Sequence, residues 1–266
     1  MLKKIIAEKQ IFIFRHGHSK ANTSRFRRIL FPGFFKILRE YFGFQVALKG
    51  VQLVDRFRNK HTPFRQPDYK IPLEPIGKIQ AELTGRELAT LGIIPDLIVS
   101  SDYLRTRQTT AGIIKGFKAV SGVDLTSRIL YSELIVERRS GKTSGYPQEY
   151  YPILFPEVQQ KFETESRLTF RPPDGESILD VRNNRIPDLA HIINLLNFKT
   201  LFIVGHGLTN STIRSLLTQE DMAEVRIGSP NLGVYKFVLD TAKNIWVLDQ
   251  NLDGSTPISE KITITN

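Results

Sequence analysis

Three short, continuously apolar runs, each ending in polar residues, constrain the fold of this chain more than any other feature. They are Ile11-Phe12-Ile13-Phe14, Leu97-Ile98-Val99 and Thr200-Leu201-Phe202-Ile203-Val204. An apolar run without alternation is typical of a strand that is buried on both faces. A helix-compatible stretch follows each run, so the sequence predicts an α/β protein, a three-layer α/β/α sandwich with a mostly parallel central sheet.

The residues directly after these runs indicate where a functional site lies. Arg15-His16-Gly17 follows the first run, Ser100-Ser101 the second and Gly205-His206-Gly207 the third. Ligand sites of parallel sheets lie beyond the carboxyl ends of the strands, so we expect these residues to meet. The glycines beside the two histidines allow backbone or ligand to approach each imidazole closely.

A helix is predicted between Pro75 and Gly92, because Ile76, Ile79 and Leu83 follow helical spacing. Near the end of the chain, residues 233–239 and 245–248 are typical of two strands joined by a short polar loop.

The 266 residues are expected to form one domain over residues 1–266, since no repeat or low-complexity tract divides them. The chain has no cysteine, which excludes disulfides, thiolate metal sites and cysteine nucleophiles. No apolar run approaches the roughly 20 residues that cross a bilayer. The first ten residues lack the apolar core of a signal peptide, so we expect a cytoplasmic protein.

The positive charge of the chain is concentrated in one segment. Between Lys20 and Lys70 there are 12 Lys and Arg against 3 Asp and Glu, which is +9 of the total +10 and leaves +1 for the rest. The same segment contains 8 of the 17 phenylalanines, which argues against a simple solvated linker.

Five short motifs follow one another along the chain. They are Arg15-His16-Gly17-His18-Ser19 with Asn22, Ser101-Asp102-Tyr103-Leu104-Arg105-Thr106-Arg107-Gln108-Thr109, Glu137-Arg138-Arg139-Ser140-Gly141, Gly175-Glu176-Ser177 and Gly205-His206-Gly207. The series resembles the histidine phosphatase superfamily, also called the phosphoglycerate-mutase-like family, and spans most of the chain. The stretches at 67–73 and 170–177 are most similar to its phosphatase branches.

The resemblance implies a role for each matching residue. His16 matches the nucleophile that becomes a phosphohistidine, and Glu137 matches the proton donor to the leaving oxygen. The phosphate pocket is implied for Arg15, Arg105 and His206, with Asn22 as a neutral donor to the same oxygens. These residue types suit phosphoryl transfer, because imidazole is substantially neutral at pH 7 and guanidinium groups bind phosphate bidentately. The mechanism implies no metal and no other cofactor.

Two of these assignments have rivals close by in the chain. Arg107 competes with Arg105, and the family's Arg-x-x-Gln-Thr spacing favours Arg105. Glu133 competes with Glu137, and the Glu-Arg-x-x-Gly context favours Glu137.

Other residues have a structural interpretation beside the functional one. Glu176 and Ser177 fit either the site or the cap and first turn of a helix. His18 is expected to act at most indirectly, and His61 and His191 lie in no motif.

The chain departs from the mutases of the superfamily after the first motif. Those relatives have a short stretch containing tryptophan there, whereas the single tryptophan of this chain is Trp246. About fifty residues separate Ser19 from the stretch at 67–73. The resemblance therefore favours a phosphatase that hydrolyses phosphate monoesters, with a phosphorylated, anionic small molecule as substrate. A catalytically idle member that binds phosphorylated ligands or a partner is one alternative, and a phosphoglycerate-type mutase is another.

The inserted segment, residues 24–66, is expected to form a cap or lid within the domain. Its apolar residues at 32, 34, 35, 37, 38, 41 and 42 share one helical face, opposite Lys36, Arg39 and Glu40. Three interpretations stay open: a packed cap, an active-site lid, and peripheral contact with an anionic membrane. Nucleic acid is not an expected partner, because no recognised binding module is present.

Overall fold

The structure is a computed structural model, and it describes residues 9–23, 32–58, 66–146 and 148–252. Residues 24–31 and 59–65 of the inserted segment, with His61 among them, lie outside the described residues.

A six-stranded sheet forms the centre of the fold. Its strands are β1 (Gln10–Arg15), β2 (Leu97–Ser101), β3 (Ile129–Ser132), β4 (Thr200–Gly205), β5 (Val234–Asp240) and β6 (Ile245–Leu252). They lie in the order β3-β2-β4-β1-β5-β6. The first four strands in this order are parallel, and β5 and β6 form an antiparallel hairpin at one edge. The predicted mostly parallel sheet is confirmed.

The α-helices of the described residues lie around the sheet and in the inserted segment. They are α1 (Lys20–Thr23), α2 (Pro32–Phe42), α3 (Phe44–Arg58), α4 (Pro75–Thr90), α5 (Leu104–Ser121), α6 (Tyr151–Leu154), α7 (Pro156–Thr164), α8 (Ile178–Asp180), α9 (Ile186–Leu195) and α10 (Gly207–Thr218). A π-helical turn, Val181–Arg185, connects α8 to α9.

The alternation of side chains along β1 divides the core into two layers. Ile11 and Ile13 pack with α9 and α10, whereas Phe12 and Phe14 pack with α4 and α5 on the other face. All four side chains are fully buried, which explains why the run is apolar without interruption. Each buried side chain of this size stabilises the fold by about 1.5–3 kcal/mol.

The helix predicted from Pro75 is present, but its apolar stripe does not face the core. Ile76, Ile79 and Leu83 are each more than half exposed. The buried side of α4 consists mainly of small residues, and a Cβ added at Gly85 would lie 1.9 Å from the carbonyl oxygen of Ile113. The backbones of α4 and α5 are therefore in direct contact, which fixes the two helices against each other.

Two helices occupy the described part of the inserted segment. Gly43, with φ of +81°, separates α2 from α3. We call residues 32–58 the helical hairpin. Its inner side packs on α6 and α7 through buried Val51 and half-buried Leu38 and Leu48. Of the residues expected on one apolar face of α2, Leu38 packs inward, whereas Ile37 and its neighbours at positions 34, 41 and 42 are more than half exposed.

Within the described ranges, no helix is both long enough and apolar enough to span a membrane.

Candidate active site

The carboxyl ends of three neighbouring strands bring together the residues expected there. The register of β1 and β4 places Arg15 opposite Gly205, and β2, which ends at Ser101, pairs with the other side of β4. The imidazole rings of His16 and His206 face each other with centroids 5.3 Å apart.

The geometry of His16 leaves one ring nitrogen available for reaction. Its Nδ1 lies 2.7 Å from the carbonyl oxygen of Gly17, and a carbonyl only accepts, so Nδ1 holds the proton and donates it. The lone pair is then on Nε2. Burial, followed by the charges of Arg105 and Arg15, lowers the pKa of His16 well below its usual value. The imidazole is therefore neutral at neutral pH.

His206, whose ring faces that of His16, is fully buried. Its Nε2 lies 2.9 Å from the Ser101 hydroxyl, and Nδ1 has no hydrogen-bond partner among the described residues. Burial, then Arg105 and His16, lowers the pKa of His206 well below its usual value. A second neutral imidazole therefore lies beside the first.

Arg105, in the first turn of α5, is almost completely buried and paired with Asp68. Its Nη1 donates to the Asp68 carbonyl at 2.7 Å and to Oδ1 at 3.0 Å, and its Nη2 donates to Oδ2 at 3.3 Å. A guanidinium has five N–H donors, and this pairing uses three of them. The Nε–H and one Nη2–H remain for another anion. Asp68 was not among the site residues expected from the sequence, although it lies in the stretch at 67–73.

Tyr103 packs against both Arg105 and His206. Its ring centroid is 5.0 Å from the guanidinium carbon and 5.2 Å from the imidazole centroid. Burial, followed by the charge of Asp68, raises the pKa of Tyr103 to about 12. Its hydroxyl therefore stays protonated and can donate to an anion in the pocket.

Arg15 is half-buried and donates from Nη1 to the carbonyl oxygen of Ser229. A Cβ added at Gly207 would lie 3.2 Å from the Arg15 Nε, so the glycine after His206 makes room for this guanidinium.

The loop that carries His16 is held by residues distant in sequence. Asn231 donates from Nδ2 to the carbonyl oxygens of His16 and Gly17, at 3.0 and 3.1 Å. Asn22 accepts at Oδ1 from the Ser19 amide at 3.0 Å and from the Ser19 hydroxyl at 2.9 Å. The Oδ1 of Asn22 is therefore engaged within the loop, and Asn231 is a residue that the sequence did not single out.

Glu137 lies beside the first turn of α10. Its Oε1 accepts from the Thr209 hydroxyl at 3.3 Å and from the Arg138 amide at 3.0 Å. The single hydrogen of the Thr209 hydroxyl is shared with the Val136 carbonyl, at 2.8 Å, so one side chain contacts both the backbone and the carboxylate of this loop. Because α10 begins directly after His206, these contacts hold Glu137 at the same end of the sheet.

Glu176 and Ser177 support this loop and the following helix. The Oε2 of Glu176 accepts from the Arg139 amide at 2.9 Å and from Arg185 Nη2 at 3.1 Å. Arg185, on the π-helical turn, also donates to the Val136 carbonyl at 3.0 Å. Ser177 forms a reciprocal capping box with Asp180.

Arg107 and Glu133, the rivals of Arg105 and Glu137, are both exposed. Arg107 is on the surface, paired with Asp102. The side chain of Glu133 is exposed, as is that of His191. His18 is half-buried, and its carbonyl accepts from the Glu74 amide at 2.9 Å.

Among the described residues, no group of three or more His, Asp and Glu side chains is placed to hold a metal ion.

Comparison with known proteins identifies the family of this chain. Residues 57–251 match the family described as histidine phosphatase superfamily (branch 1). A 2,3-bisphosphoglycerate-dependent phosphoglycerate mutase from Rhizobium etli is 30% identical over 178 residues, which is 64% of this chain and 81% of the relative. The chain belongs to the histidine phosphatase superfamily.

Solved structures of phosphatases share the fold. The alpha-ribazole phosphatase from Shigella flexneri superposes with a TM-score of 0.66 at 14% identity, covering 97% of this chain and 100% of the other. A mycobacterial glucosyl-3-phosphoglycerate phosphatase gives a TM-score of 0.62 at 17% identity, covering 94% and 100%.

Proposed function

We propose that this protein is a phosphatase that hydrolyses phosphate monoesters through a phosphohistidine at His16, without a metal ion. The observation that supports this most directly is the buried, neutral His16, whose Nδ1 is held by the Gly17 carbonyl. The charges of Arg105 and Arg15 act on this imidazole, and the ring of His206 faces it with centroids 5.3 Å apart. A neutral imidazole needs no base to become nucleophilic.

In the first step, the guanidinium groups of Arg15 and Arg105 bind the nonbridging oxygens of the phosphate dianion. The Nε2 lone pair of His16 attacks phosphorus while the P–O bond to the leaving group breaks. Glu137 donates its proton to the departing oxygen. In this mechanism His206 and the Tyr103 hydroxyl stabilise the charge that develops on the phosphoryl oxygens.

In the second step, water is the acceptor. The Glu137 carboxylate takes a proton from the water as its oxygen attacks phosphorus, and the P–N bond to His16 breaks. Inorganic phosphate leaves, and Glu137 is again protonated for the next cycle.

The experiment is hydrolysis of p-nitrophenyl phosphate by His16→Ala, with His191→Ala as the matched control, since His191 is exposed and in no motif. We expect His16→Ala to lose at least about a thousandfold in kcat, because the nucleophile is gone, and His191→Ala to be unchanged. Brief exposure to labelled substrate should leave an acid-labile phosphoryl group on the wild type and none on His16→Ala. EDTA should not change the rate.

Normal turnover by a folded His16→Ala variant would contradict the proposal. Binding of phosphate esters with no turnover across a broad panel would instead support the catalytically idle alternative.

A second candidate function is phosphoryl transfer between phosphoglycerates, favoured by the 30% identity to the Rhizobium etli mutase. Incubation with a phosphoglycerate separates the two, because a phosphatase releases inorganic phosphate and a mutase forms the isomeric ester.

A further inference from the structure

The outer side of the helical hairpin carries exposed apolar side chains. We call Ile37, Tyr41, Phe42, Val46 and Leu53 the hairpin face. Their exposed fractions are 54%, 75%, 66%, 42% and 57%. Ile37 and Tyr41 lie one turn apart on α2, and Val46 and Leu53 lie two turns apart on α3, so each helix contributes one stripe.

The interior packing of the hairpin is made by other residues. Val51 is fully buried, and Leu38, Phe44 and Leu48 pack with it against α6 and α7. The hairpin is therefore anchored to the domain without using its outer stripes. A group of exposed apolar side chains on one helical hairpin is typical of a surface that meets a partner or a membrane.

The charges around the hairpin face indicate which partner it fits. Lys36 and Lys49 are exposed on the same two helices. In the sequence, residues 32–58 hold five Lys and Arg against two Asp and Glu, and further cations precede and follow them at Arg25, Arg27, Arg28 and Lys60.

Exposed aromatic and aliphatic side chains on helices that also carry exposed lysines suit the boundary of an anionic bilayer. The apolar groups enter the headgroup region, and each nearby cation contributes about 1 kcal/mol of attraction. A second copy of this chain fits less well, because it would bring two positively charged hairpins together.

We propose that the helical hairpin docks the protein on anionic lipid membranes, with the hairpin face inserted at the interface and its lysines against the headgroups. Neither feature suffices alone: a few apolar side chains bind weakly, and exposed lysines bind only through charge. The proposal does not depend on catalysis at His16.

Co-sedimentation with vesicles tests it on the full chain. One set of vesicles contains phosphatidylcholine alone, and the other contains added phosphatidylserine. We expect binding to the acidic vesicles that weakens as salt is raised, with little binding to the neutral ones. A Tyr41→Ser/Phe42→Ser double variant should bind acidic vesicles at least about tenfold more weakly, and so should Lys36→Glu/Lys49→Glu.

The matched control is Leu195→Ser, which removes an equally exposed apolar side chain on α9, where Leu195 is 73% exposed. It should bind as the wild type does. Thermal melting and hydrolysis of p-nitrophenyl phosphate, if the enzyme is active, verify that each variant is folded, since none of these residues lies in the catalytic pocket.

Absence of binding to acidic vesicles, or equal binding by wild type and both double variants, would overturn the proposal. Equal binding to neutral vesicles would overturn the part assigned to the lysines. A dimer in sedimentation equilibrium that dissociates in Tyr41→Ser/Phe42→Ser would assign the hairpin face to a second copy instead.

Discussion

At the scale of single residues, the pairing of Asp68 with Arg105 has a direct consequence for phosphate binding. Asp68 holds one edge of the guanidinium through its carbonyl and both carboxylate oxygens. The remaining Nε and Nη2 donors keep a defined direction as long as this edge is engaged. Asp68 is therefore a positioning residue that acts through Arg105.

The first prediction concerns Asp68→Asn. A charge-assisted hydrogen bond contributes about 1.5–3 kcal/mol, so we expect KM for phosphate esters and the inhibition constant of inorganic phosphate to rise roughly tenfold or more. The value of kcat should change less, since no group that moves a proton or a phosphoryl group is altered. Steady-state kinetics with phosphate as inhibitor measure both quantities.

Asp102→Asn is the control for that variant, because Asp102 pairs with Arg107 on the surface. Its kinetics should equal those of the wild type. If Asp68→Asn bound phosphate more tightly, Asp68 would be a competitor for Arg105 and not its support.

The second prediction separates Glu137 from its rival Glu133. If Glu137 protonates the leaving oxygen, Glu137→Gln should lose far more activity on an alkyl phosphate than on p-nitrophenyl phosphate, whose leaving group is stable as an anion. The expected difference between the two substrates is on the order of a hundredfold. Glu133→Gln should show none, because that side chain is exposed. Equal losses on both substrates would remove Glu137 from the role of acid.

The sequence locates some of these residues and not others for a physical reason. His16 and His206 follow apolar strands of a parallel sheet, so topology alone places them together. Asp68, Asn231 and Arg185 act through contacts between segments that are far apart in the chain. No periodicity or local spacing records such contacts, so the sequence could not predict them.

At the scale of elements, α4 shows how a helix can be predicted correctly while its buried side is not. Ile76, Ile79 and Leu83 mark the helical period but face outward. The face toward α5 is rich in small residues because the two backbones touch, as the added Cβ at Gly85 shows. Large apolar side chains would bury more surface between the helices, but here the two main chains pack closely instead. A pattern based on apolar periodicity does not detect such packing.

In the helical hairpin, too, the sequence predicts the helix but not which of its sides is buried. Helical spacing indicated α2, but the direction of its apolar residues depends on which neighbours are present. Among the described residues, α6 and α7 pack against the side that includes Leu38 and Val51. The outer side is left to solvent or to a partner, and only the three-dimensional arrangement separates the two sides.

At the scale of the whole molecule, the two site histidines couple stability to pH. Both are buried and neutral, and the pKa of each is lowered well below the ordinary value of 6.5. As the pH falls through about 6.5, the unfolded chain takes up protons at these positions and the folded chain does not. Protonation therefore favours the unfolded state, and the stability contributed by the two histidines is complete above this pH and lost below it.

The third prediction is that the free energy of unfolding falls as the pH is lowered from about 7.5 to about 5.5, by on the order of 1 kcal/mol per pH unit for each of His16 and His206. Urea denaturation across this interval measures it. In His206→Gln one titrating site is removed, so the slope against pH should be shallower whatever the absolute stability of the variant. In His191→Gln the slope should equal that of the wild type, because His191 is exposed. Two outcomes would contradict this prediction: a free energy of unfolding that stays level or rises as the pH falls, or equal slopes in His206→Gln and the wild type. Either would show that the buried imidazoles do not remain neutral in the folded protein. The nucleophile proposed for catalysis would then need a base to deprotonate it.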